Sequence, residues 1–129
     1  MTDRLRDRLT LAGWTLAIFV GGSLKLPPAP IEPPGIGWDK FAHTLVFFLT
    51  QRLAERALRD EAEGATREVA VRAALVSIFV GGVLEIYQAA LPHRSADIWD
   101  FVADALGAVL AIGWSALVMR GQARAERRD

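Results

Sequence analysis

Two runs without a single charge, Ala73–Leu84 and Ala105–Met119, bracket a stretch rich in polar groups: Glu85, Gln88, Arg94, Asp97, Asp100 and Asp104, with Pro92 in the turn. Runs of that length and apolarity fold only where they meet lipid or one another. Ionisable groups set into them are costly, and by default they read as functional.

The 129 residues fit one domain, 1–129, and 52% of them are hydrophobic, high for a chain surrounded by water. Three segments read as membrane helices, Leu9–Leu26, Ala70–Leu91 and Ile98–Met119, each long enough to cross a hydrocarbon core of roughly 30 Å. A fourth, Trp38–Ala54, is shorter and more amphipathic, but Phe41, Leu45, Val46, Phe47, Phe48, Leu49 and Leu53 favour a span there too. The expected fold is therefore all-α: a polytopic membrane protein, a four-transmembrane-helix bundle. The net charge is +0, yet basic residues gather in three places: before the first span (Arg4, Arg6, Arg8), between the second and third (Arg52, Arg56, Arg59, Arg67, Arg72) and after the fourth (Arg120, Arg124, Arg127, Arg128). The positive-inside rule then puts both termini in the cytoplasm. These arginines alternate with acids, so no nucleic-acid partner is expected.

Cysteine is absent, which excludes disulfides, thiolate nucleophiles and Cys metal sites. Arginines followed by an apolar run imitate a signal peptide. However, Gly21-Gly22-Ser23 leads to Lys25 and prolines rather than to an A-x-A site, so the first helix is expected to remain uncleaved. Pro27, Pro28, Pro30, Pro33 and Pro34 predict a stiff outer strap over 27–37, preferred to an SH3-type ligand because of its place in the topology. Gln51–Arg72 reads as a cytoplasmic connector broken at Gly64, solvated and supported by a Glu55→Arg59 pair. Trp38 and Trp99 fall at the outer interface and Trp14 and Trp114 at the inner one, an aromatic belt.

This topology carries the polar residues of three helices to one side of the membrane. Asp39, Lys40 and His43 open the second helix, Glu85 and Gln88 end the third, and Asp97, Asp100 and Asp104 open the fourth. At about 100° per residue, Asp100, Asp104, Gly107, Ala111 and Ser115 share one face of the fourth helix, while Val102, Leu106, Val109, Leu110 and Leu117 occupy the other. Ser77, Gly81, Glu85 and Gln88 align likewise, as do Asp39, His43 and Thr50. Polar faces so placed would bury against each other around a pocket open to the outside.

Plainer explanations exist for several of these residues. Asp39, Asp97 and Asp100 also suit helix starts, Gln88 suits a helix end, Trp38 and Lys40 suit interface anchors, and His93 suits an exposed turn. A lone histidine on a helix face is more often a satisfied core histidine than a ligand, but His43 lies four residues from Asp39, which puts an acid–base role level with that reading. Glu85 and Asp104 lie too deep for capping, so each needs a partner or a proton; Arg94 is the first choice of partner and Lys40 the second.

At these residues the chain resembles the VanZ-like family of small bacterial membrane proteins. The pieces are Asp39-Lys40-x-x-His43-x-x-x-Phe47, Gly82-x-x-Glu85-x-x-Gln88 and Arg94-x-x-Asp97-x-x-Asp100-x-x-x-Asp104-x-x-Gly107, running from the second helix through the fourth. Two positions depart from the family pattern: Asp104 stands where Asn is usual and Ala111 where Gly is common. The resemblance implies residence in the bacterial cytoplasmic (inner) membrane and a link to the cell envelope and to resistance to glycopeptide antibiotics such as teicoplanin.

Three functions follow as expectations. The first is binding of an anionic lipid-linked or cell-wall ligand at the outer face by Lys40, Gln88, Arg94, Asp97 and Asp100, with Arg94 on a phosphate or carboxylate. The second is an enzyme on such a substrate, with Asp39, His43, Glu85 and Asp104 as candidate acid–base groups. No cofactor and no metal are expected; were a metal bound, Glu85, Asp97, Asp100 or Asp104 would hold it. The third is a small carrier or structural partner; the Ala103, Gly107, Ala111, Ser115 ladder could serve a homo-oligomer, with packing inside one bundle the preferred reading. Membrane lipids are partners in all three.

Overall fold

A computed structural model describes residues 2–25, 37–59, 66–94, 97–125 and 127. The described residues form four helices: α1 (Asp3–Ser23), α2 (Trp38–Leu58), α3 (Arg67–Ala89) and α4 (Ile98–Ala125). The proline strap and the break at Gly64 lie outside the described residues, as does Arg128.

Local chemistry sets the helix starts. Thr2 Oγ accepts the Leu5 N–H at 3.4 Å, with Asp3 in the first turn, so α1 begins well before Leu9. Thr66 accepts the Val69 N–H at 3.2 Å ahead of Glu68, and Asp97 accepts the Trp99 N–H at 2.9 Å to start α4. The stops differ from the sequence reading too. Leu24 is already extended, three residues ahead of Pro27, and Leu91 belongs to the turn after α3. Both α2 and α4 run past their apolar segments, to Leu58 and Ala125, because polar residues continue a helix as readily as apolar ones.

The helices alternate in direction. Asp7 meets Arg56 at 3.2 Å and Gln51 donates to the Ala70 carbonyl at 2.8 Å, so the start of α1, the end of α2 and the start of α3 lie together. Ser115 donates to Glu55 at 2.8 Å, bringing the second half of α4 to the same end. At the opposite end Ser23 pairs with Tyr87 at 2.7 Å, and Lys40 of α2 meets the start of α4. Midway, the Trp14 indole N–H donates to Thr50 at 2.9 Å and pins α1 to α2.

The interior consists mostly of small residues. Ala54, Ala70, Ala73, Ala103, Ala108 and Ala111 are buried, Phe47 being the one large apolar side chain fully enclosed among the described residues. Small residues let helix backbones approach closely. Closest is Gly107: a Cβ there would lie 2.2 Å from the Thr44 carbonyl oxygen of α2 and 2.8 Å from the Phe48 nitrogen. Ala103, Gly107, Ala111 and Ser115 are thus buried inside the protein and leave no free ladder for a second copy.

Large apolar side chains point outward instead: Phe79 is 71% exposed, Ile86 74% and Leu117 63%. Val102, Leu106, Val109 and Leu110 line the same exposed side of α4, while Asp104 and Ser115 are buried. An exterior more apolar than the interior inverts the usual arrangement in water. Two of the helices, α3 and α4, are long and apolar enough to cross a membrane. In α1 and α2 the apolar stretch is shortened by charges within the helix, Arg4 to Arg8 in one and Arg52 to Arg56 in the other.

Candidate functional site

The first two turns of α2 supply Asp39, Lys40 and His43, and the approach of α2 to α4 places them over Asp97, Asp100 and Asp104. Lys40 Nζ stands 2.9 Å from Asp39, 2.7 Å from Asp97 and 2.5 Å from Asp100. One ammonium thereby spends all three donors on three carboxylates. This contact and the Trp99 amide hold the Asp97 carboxyl below its ordinary range. Asp97 thus caps α4 and pins it to α2 at once.

One turn deeper, His43 Nδ1 lies 2.8 Å from Asp104 Oδ1, and His43 Nε2 lies 3.8 Å from Asp100 Oδ2. Asp104 is wholly buried, and its Oδ2 has no hydrogen-bond partner. Gly81 of α3 makes room for it: a Cβ there would come within 2.9 Å of that oxygen. Glu85 arrives from the end of α3, 8% exposed; its Oε2 accepts the Asp97 N–H at 3.3 Å, while its Oε1 has no partner. His43, Glu85 and Asp104 each bring a ligand atom within 4.8 Å of the others.

The pairings differ from the sequence-based expectation. Asp39 pairs with Lys40 and not with His43; the partner of His43 is Asp104. Among the described residues Arg94 forms no ion pair with Glu85 or Asp104, because the turn after α3 carries it to the other side of that helix. There it lines a groove of about 380 Å³ between α1, α2 and α3, together with Gln88 and His43. Gln88 donates to the Gly22 carbonyl at 3.4 Å, and Trp14, Val46 and Leu84 supply the apolar walls. Nearby, His93 Nε2 donates to the Ser23 carbonyl at 2.9 Å. A larger depression of about 690 Å³ along α1, beside Leu16 and Ala57, is apolar and remote from these groups.

A second buried polar cluster, at the opposite end, escaped the sequence reading. Glu55 is 3% exposed rather than solvated; it accepts from Ser115 and Arg52, with the Gln51 amide 3.3 Å away, and Arg59 is not its partner. The signal was the helical phase of α2, where His43, Phe47, Gln51 and Glu55 recur at i, i+4 spacing and mark one buried stripe running beyond Ala54.

Comparison with family models, with curated proteins and with solved structures gives no match.

Proposed function

We propose that this chain is a multi-pass protein of the bacterial cytoplasmic membrane, VanZ-like in its polar pattern, that binds an anionic amphiphile of the cell envelope at its outer end. All four helices would cross, with both termini in the cytoplasm. In support, α1 and α2 turn Leu16 and Phe41 outward just as α3 and α4 do Phe79 and Leu117, and the arginines gather at the end away from Lys40 and Asp97. The observation carrying the ligand is the groove: apolar walls along three helices end at Arg94, Gln88 and His43. A hydrocarbon chain suits the walls, and a phosphate or carboxylate suits a guanidinium that has no carboxylate partner among the described residues. A lipid-linked wall precursor has both parts. The tie to glycopeptide response rests on the resemblance alone.

Native mass spectrometry of protein extracted in mild detergent tests this. Wild type is expected to carry an anionic lipid-like adduct that Arg94→Ala loses by about tenfold or more while remaining folded. Equal adducts in both proteins would refute the role of Arg94.

One contact favours a second reading, an enzyme acting on the same ligand: the His43–Asp104 pair has the form of a base with an orienting carboxylate, and His43 borders the groove.

A further inference from the structure

We propose that His43, Glu85 and Asp104 form a binding site for one first-row divalent cation of the Zn²⁺ or Mn²⁺ kind. One residue comes from each of α2, α3 and α4, and their ligand atoms converge within 4.8 Å. Convergence of acids alone would say little, since carboxylates often cluster without an ion. Here two further facts point to a ligand. Asp104 is wholly buried and Glu85 more than nine-tenths buried, yet each keeps one carboxylate oxygen with no partner, Asp104 Oδ2 and Glu85 Oε1. A buried acceptor left unmatched is costly, and His43 reaches only the other oxygen of Asp104, so both acceptors stay unmatched. The nearest ammonium cannot relieve them, because Lys40 is engaged by Asp39, Asp97 and Asp100.

The same engagement defines the site's membership. Asp97 and Asp100, plausible ligands by sequence, are held by Lys40, and the histidine takes their place. One imidazole with two carboxylates is a donor set for a borderline cation; an all-oxygen cage would suit Ca²⁺ or Mg²⁺ instead. Buried between three helices, the ion would also tie them together at the end where α2, α3 and α4 meet.

The test uses untagged full-length protein in detergent, stripped with a chelator and titrated with Zn²⁺ by calorimetry and with Mn²⁺ by electron paramagnetic resonance. Wild type is expected to take up one equivalent. Glu85→Gln and His43→Ala should each weaken binding by about tenfold or more, whereas Glu68→Gln, exposed at the opposite end of α3, should not. Uptake of no ion, or unchanged binding in both Glu85→Gln and His43→Ala, would overturn the site and leave a shared proton as what holds the two carboxylates. If these variants fail to fold, His93→Ala decides, since His43 is then the sole imidazole of a chain with two histidines. Histidine nitrogen coupling to bound Mn²⁺ in that protein supports the site, and its absence refutes it.

Discussion

Gly107→Ala is expected to force α2 away from α4 and to lower the protein's melting temperature in detergent well below that of wild type. The added methyl would sit 2.2 Å from the Thr44 carbonyl oxygen and 2.8 Å from the Phe48 nitrogen. Both are backbone atoms of a helix, so no side-chain rotation makes room and α2 itself must shift. Overpacking a well-filled interior typically costs about 1–3 kcal/mol. This site belongs at the upper end, because the same displacement loosens the Thr44–Ala103 bond at 3.2 Å and the His43–Asp104 bond at 2.8 Å. The check is thermal unfolding followed by tryptophan fluorescence, with Gly113→Ala as control, since a Cβ at Gly113 meets nothing within 4 Å. Gly113→Ala should be neutral or mildly stabilising, as alanine is the better helix former. A Gly107→Ala protein melting with wild type would contradict the packing of α2 on α4.

Lys40→Met should be the next most damaging change at the polar end. Methionine keeps the apolar stem but removes the ammonium, leaving Asp39, Asp97 and Asp100 to repel one another around an empty centre. The groups are partly open to water, so the loss is smaller than for a fully buried ion pair. A fall of about 5 °C in melting temperature is expected, with fraying of the first turn of α4. Pairing the change with Asp100→Asn should recover part of it, because one unmatched charge is removed. If Lys40→Met instead melts with wild type, the lysine acts through its stem and not through its charge.

Much of this site was legible in the sequence because helices repeat. The spacing of Asp100, Asp104, Gly107, Ala111 and Ser115 gives one buried face of α4, and that of Ser77, Gly81, Glu85 and Gln88 gives one of α3. Periodicity says which way a residue faces, but not which residue of another helix it meets. Hence Arg94, near Glu85 in sequence, is a natural guess for its partner, although the turn carries it toward α1. Asp104 instead takes His43, 61 residues away. Glu55 shows the opposite difficulty. It sits among arginines and so reads as solvated, while its phase with Phe47 and Gln51 puts it inside. For α1 there was hydropathy and little else; its contacts run through Trp14, Gly22 and Ser23, types too common to point anywhere.

The binding proposal rests on which side of a membrane the turn between α3 and α4 faces. The chain has no cysteine, so single cysteines report position without background. Pro92→Cys in that turn and Gly121→Cys in the last turns of α4 are both exposed, and each can be treated with a membrane-impermeant maleimide in intact bacterial cells. Four crossings with cytoplasmic termini predict that Pro92→Cys is labelled from outside and Gly121→Cys only after the cells are permeabilised. Labelling of Gly121→Cys in intact cells, or protection of Pro92→Cys, would contradict the orientation and with it an outward-facing ligand site.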